Sequence, residues 1–210
     1  MISPGIRLHV RKSAAVFKVL MFLAECGRKI EMVEVEDLHA HEFLRLNPFA
    51  TVPVLEVEGS EAICESLTIC RFLDERWGGT GLFGRGRLER LKVEQWERRA
   101  ELNLFNPSIE FAHHMHPRFA GRLRQHPPVA RALAERACDI LQILEIRLSE
   151  CPFLALDRLT MADVTAYFGL CAFEALGAFS IPAQGALGRW KRQLAERPCG
   201  RVLADALHSN

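Results

Sequence analysis

Asn47-Pro48-Phe49-Ala50-Thr51-Val52-Pro53-Val54-Leu55, followed after a short turn by Glu65-Ser66-Leu67-Thr68-Ile69-Cys70-Arg71-Phe72-Leu73, decides how this chain folds. The first stretch sets a proline at the mouth of an apolar strand. Proline cannot donate to a ladder, so the backbone groups beside it are left for another partner. The Val52-Pro53 bond is a candidate for the cis form, which folded chains reserve for particular turns. The second stretch sets an acid and a hydroxyl at the head of a helix, where open N–H groups favour an anion. Together they predict a small polar cradle for a ligand with peptide character and carboxylates.

Outward from that stretch, residues 1–77 alternate strand and helix signals. Ile6 to Val10 alternates with period two, as does Ile30 to Val35. Ala14 to Cys26 reads as a helix with Val16, Val19, Leu20, Leu23 and Ala24 on one face and Gly27 at its C-terminal cap. His41 to Leu46 is a short helix, Val52 to Val57 a strand, Gly59-Ser60 a turn, Ala62 to Cys64 a short strand and Glu65 to Arg76 a helix. The order β-α-β-α-β-β-α ends in a hairpin plus a covering helix, as in a thioredoxin-like fold. Glycines in Gly78-Gly79-Thr80-Gly81 and Gly84-Arg85-Gly86 mark residues 78–86 as a linker.

Beyond the linker, residues 87–210 show no strand pattern and predict an all-α domain. Arg87 to about His116 reads as a long helix bent near Pro107. Val129 to Glu150 carries an apolar stripe of Leu133, Ala137, Ile140, Leu141, Leu144 and Leu148. Thr160 opens a further helix, with Asp163 as the reciprocal acid of a capping box, and Leu187 to Glu196 forms another. The expected fold class is therefore α/β plus all-α.

Composition bounds the function. The chain has 210 residues, 49% of them hydrophobic, enough for two modest domains with real cores. Lys and Arg number 27 against 26 Asp and Glu, a balance that argues against nucleic acid as partner. No apolar run reaches the length of a membrane span. Met1-Ile2-Ser3-Pro4-Gly5-Ile6 lacks the charged start and apolar core of a signal peptide. Seven cysteines at irregular spacings, with Cys70, Cys138 and Cys171 in apolar contexts, read as reduced thiols of a cytoplasmic protein.

The two stretches quoted first, in their order and spacing, resemble the glutathione-binding half of the cytosolic glutathione S-transferase family. Thr160-Met161-Ala162-Asp163 resembles the box that starts a central helix in that family's helical domain. The resemblance implies that Val52, with Pro53, aligns the cysteinyl backbone of glutathione, while Glu65 and Ser66 grip its γ-glutamyl end. It implies that His39 lies toward the glycine end. Thr51 stands where many relatives carry Gln or Lys. It also implies a homodimer, an apolar electrophile as second substrate and a role in detoxification, without a metal.

Such enzymes hold glutathione as a thiolate, and relatives use Tyr, Ser or Cys for this near the first helix. The sole tyrosine is Tyr167, and no cysteine precedes Cys26, so Ser13 carries the expectation, as in serine-type or bacterial members. Ser13 is equally a natural N-cap for the helix beginning at Ala14. Ala14-Ala15 replaces the proline and aromatic that often follow the active serine. Lys12 and Arg11 are alternative cationic stabilisers or plain solvated charges. Glu65 and Ser66 taken alone read as helix caps, and His39 taken alone as a surface histidine.

Phe105, Ile109 and His113, spaced by four, form either one face of the electrophile pocket or core packing. His113 and His116 share a metal-ligand spacing without a third ligand motif nearby, so no metal is expected. Glu97, Arg98, Arg99 and Glu101 read as a solvated charged face. Two rival functions remain open: an isomerase, dehalogenase or peroxide-reducing enzyme using the same glutathione residues, and a non-catalytic binding or regulatory protein that kept the fold.

Overall fold

A computed structural model describes residues 2–59 and 61–208. Ser60, half of the expected Gly59-Ser60 turn, lies outside the described residues. The chain divides into two compact units, one running to Thr80 and taking in Pro198–Ala206, the other spanning Gly81–Arg197.

In the first unit, β1 (Ile2–Val10), β2 (Lys29–Glu34), β3 (Val54–Val57) and β4 (Ile63–Cys64) form one sheet in the order β2-β1-β3-β4. β1 runs parallel to β2 and antiparallel to β3, which is antiparallel to β4. Period-two alternation buries Ile6, Leu8 and Val10, while Arg7 points outward to an ion pair with Glu56 at 2.7 Å. Helix α1 (Ala14–Glu25) buries Val16, Lys18, Val19, Met21, Phe22 and Leu23. Leu20 and Ala24, expected on that face, are only half-buried, and a lysine takes a core position instead. Phe22 stacks on Trp77 at the end of α3 (Ser66–Arg76), with ring centroids 6.1 Å apart. Helix α2 (His41–Leu46) packs Phe43 against Val35 and Val54.

The second unit is helical: α4 (Arg87–Ala100), α5 (Asn106–Met115), α6 (Pro127–Glu150), α7 (Met161–Ala175) and α8 (Gly185–Ala195). The expected bend near Pro107 is a π-helical segment, Glu101–Phe105, joining α4 to α5. The Asn106 N–H reaches back to the Glu101 carbonyl, and the wider register absorbs the N–H that Pro107 lacks. The segment lies directly on α7, where Gly169 is obligatory: a Cβ there would stand 2.6 Å from the Leu104 carbonyl carbon.

Helix α7 is buried from Met161 to Phe173. Its Asp163, fully buried, accepts from the N–H groups of Thr160 (2.9 Å) and Leu154 (2.8 Å), the Thr160 hydroxyl (2.8 Å) and the Trp190 indole N–H (3.0 Å). Glu97 is not solvated as expected; it is 1% exposed and accepts from the Thr165 hydroxyl at 3.0 Å. Helix α9 (Pro198–His208) is an element the sequence reading omits, and the N–H of Cys199 meets Glu25 at 3.0 Å. None of the seven cysteines is joined in a disulfide, and Cys138 is exposed, against the apolar context expected for it.

Candidate functional site

The sheet gathers the candidate residues by register. Val33, His9, Val54 and Cys64 lie side by side across the four strands. Just past that row, at one edge, the chain leaves β1 toward Ser13, leaves β2 toward His39, enters β3 from Val52-Pro53 and leaves β4 into Glu65-Ser66. Four separate segments thus meet at the C-terminal end of the parallel strand pair, where open α/β sheets hold their ligands.

The Val52-Pro53 bond is cis, as the sequence predicts. Val52 stands outside both ladders, whose pairing begins at Val54. The loop is held by Asn47, which is 2% exposed and ends α2. Its amide nitrogen donates to the Thr51 carbonyl and to the Thr51 hydroxyl, both at 2.9 Å, and its amide oxygen accepts from the Phe49 N–H at 3.1 Å. Thr51 is exposed, and its hydroxyl proton stays available because the oxygen acts here as acceptor. Sequence reasoning overlooked Asn47; an asparagine between a helix end and a proline was the available signal.

Glu65 is the N-cap of α3, yet its side chain caps nothing. Its backbone sits at φ 68°, a left-handed setting that a long side chain rarely adopts. The cap-only explanation for Glu65 therefore fails. Ser66 follows in the first turn, 7% exposed, with no hydrogen-bonding partner for its hydroxyl among the described residues. The first intrahelical bond runs from the Ile69 N–H to the Glu65 carbonyl, so the amides before it face outward from the helix end.

Ser13 caps α1: its hydroxyl oxygen accepts from the Val16 N–H at 3.3 Å. It is half-buried, and among the described residues its proton has no acceptor. Capping uses a lone pair and donation uses the proton, so one hydroxyl can do both. No nearby cysteine competes as a nucleophile. Burial, then Asp74, pushes the Cys26 thiol up to about 12, and burial with Glu65 raises Cys64. His39 is exposed, its backbone N–H bonded to Asp37 at 2.9 Å.

In the helical unit, Phe105 is 3% exposed and packs on Phe168 with ring centroids 5.0 Å apart. Of the two readings of this face, core packing describes Phe105. Ile109 and His113 are half-buried, and the His113 ring meets Phe119 edge-on at 4.6 Å. Among the described residues no cluster of three or more His, Cys, Asp or Glu side chains could hold a metal.

Residues 13–76 match the family model for the glutathione S-transferase N-terminal domain, and residues 111–198 that for its C-terminal domain. The chain is 30% identical to glutathione S-transferase 2 of Saccharomyces cerevisiae over 78% of this chain and 71% of the relative. It is 31% identical to glutathione S-transferase 4 of Zea mays over 92% and 88% of the two chains. Among solved structures, a glutathione S-transferase domain-containing protein of Marinobacter aquaeolei superposes with a TM-score of 0.82 at 30% identity, covering 92% of this chain and 99% of the other. The chain belongs to the glutathione S-transferase family and is a glutathione-using transferase with a thioredoxin-like domain and a helical domain.

Proposed function

We propose that the thiolate of glutathione, held along the edge that carries Ser13, Val52-Pro53, Glu65 and Ser66, attacks an electrophilic carbon of an apolar small molecule. The observation that carries the proposal is the Ser13 hydroxyl, whose oxygen is engaged by the Val16 N–H while its proton is uncommitted. That proton donates to the glutathione sulfur and stabilises the anion. Lowering a thiol by about two units requires about 2.7 kcal/mol of preference for the thiolate, within reach of one hydrogen bond to a charged acceptor plus the field at the head of α1.

Glutathione is the co-substrate. Val52 offers its backbone to the cysteinyl segment. Glu65 receives the γ-glutamyl ammonium, and the Ser66 hydroxyl with the outward amides of α3 receives the α-carboxylate. His39 and Thr51 serve the glycyl end. Ile109 and His113 line the electrophile pocket. In the reaction the new carbon–sulfur bond forms as the leaving group departs with its electron pair, the thiol proton having passed to solvent.

The protein works as a cytoplasmic homodimer in detoxification. Seven cysteines outside any disulfide suit a reducing compartment. Leu91, Leu102, Ile143 and Ile146 on the helical unit are each more than half exposed, apolar area that burial against a second copy would remove from water. No helix among the described residues is long and apolar enough to cross a membrane.

The test is a titration of bound glutathione by thiolate absorbance in the wild type and in Ser13→Ala. The wild type is expected to hold thiolate at neutral pH. In the variant the thiol should return toward its ordinary value of about 8.5, with turnover falling about 100-fold. Unchanged turnover in Ser13→Ala would reject the serine mechanism.

A further inference from the structure

The end of α5 and the head of α6 are joined by a segment whose fastenings are histidines. His116 follows α5 in extended backbone and caps the 3-10 turn Pro117–Phe119, its Nδ1 accepting from the Arg118 N–H at 3.1 Å. His114, in the last turn of α5, accepts at Nδ1 from the N–H of His126, the cap residue of α6, at 3.3 Å. Gln125 closes the same loop, donating to the carbonyls of His113 (3.1 Å) and His116 (2.9 Å). Rings complete the cluster: His113 edge-on to Phe119, Arg118 over Phe119 at 5.1 Å, and His114 against His126 at 5.8 Å.

We infer that residues 116–126 form an acid-released clasp, held shut by two neutral histidines that accept backbone hydrogen bonds. An imidazole accepts at Nδ1 only while that nitrogen lacks a proton; imidazolium has two donors and no acceptor. Protonation therefore turns both fastenings into donor-against-donor contacts. The segment's own sequence offers the new charge little compensation. Glu110, one turn back on α5, is the nearest acid in sequence, and the next is Glu135 on α6. Between them stand His113, His114, His116, Arg118, Arg122, Arg124, His126 and Arg131. Where α7 meets α5 the contact is aromatic, Phe111 on Phe173. Burial, with His114 and Arg118 beside it, already favours the neutral form of His113, against a smaller opposing pull from Glu110. The sign follows. Each fastening needs a bare Nδ1, so the clasp holds while the rings are neutral and opens when acid protonates them.

The inference does not depend on the transferase chemistry and is read on the full chain by NMR. Amide exchange protection at Arg118 and His126 is compared at about pH 7.5 and about pH 5.5, across the imidazole range. It is expected to fall about tenfold or more in the wild type, while amides of the buried α7 keep theirs. His114→Asn with His116→Asn sets an amide oxygen where Nδ1 stood, and should hold both amides protected at both pH values. His114→Phe with His116→Phe should lose the protection even at the higher pH. Wild-type protection that ignores pH, or an equal fall in the Asn variant, would overturn the clasp.

Discussion

Two helix heads in this molecule are built in opposite ways. At α7, Thr160 and Asp163 close the end completely: one carboxylate takes four donors, three of them from outside the helix's own first turn or from its cap backbone, and the whole arrangement is buried. At α3, Glu65 sits at φ 68°, caps nothing with its side chain and is exposed. The first head is finished by the protein itself and serves stability. The second is left incomplete at the edge where four segments of the sheet converge, and in the proposed function glutathione completes it. The contrast teaches that an open helix end acquires meaning from its surroundings and from what the chain spends to hold it open.

The largest effect belongs to the closed end. Asp163→Ala leaves the indole N–H of Trp190 and the N–H groups of Leu154 and Thr160 buried without acceptors, and should destabilise the protein by about 3–5 kcal/mol. Thermal unfolding measures this, and an unchanged melting temperature would erase the contrast from the α7 side. At Ser13 the two roles separate. Ser13→Ala should cost about 1 kcal/mol of stability through the lost cap. Ser13→Asp keeps an acceptor for the Val16 N–H but has no proton to give, so it should retain stability while losing turnover. Equal losses of stability in both variants would break that separation.

Ser66→Ala tests the open end directly. Removing a hydroxyl that has no hydrogen-bonding partner among the described residues should change stability by less than about 0.5 kcal/mol, and it should weaken glutathione binding about fivefold. The smallest effect belongs to a partly exposed ion pair. Glu89 is pulled down to about 2 by the Arg158 guanidinium and then by the Arg85 N–H. A carboxylate held below its ordinary 4.5 stabilises the fold above that value, and the contribution disappears as pH falls toward 2. Glu89→Gln should therefore flatten the acid limb of the melting-temperature profile, weakly and less so in high salt.

What the sequence revealed follows the same division. The cis Val52-Pro53 bond, the strand–turn–helix order around it and the Thr160–Asp163 box are local patterns, and each appears where expected. The rest depends on partners distant in the chain. Lys18 and Glu97 are charged residues with core burial, and Asp163 meets Trp190 from 27 residues away. Phe105 joined a plausible helical face by spacing, yet the π register turns it into the core against Phe168. Helix α9 does carry a helical apolar pattern in Cys199, Leu203 and Ala206, which the sequence reading passed over, and Asn47 looked only like a helix stop.

The most direct test is calorimetric titration of glutathione into wild-type protein and Glu65→Gly, with melting curves of both. Glycine removes the carboxylate and accepts the positive φ without strain. The account predicts that affinity falls about tenfold or more while the melting temperature holds or rises. Undiminished affinity would show that glutathione does not use this helix head, and would contradict the site.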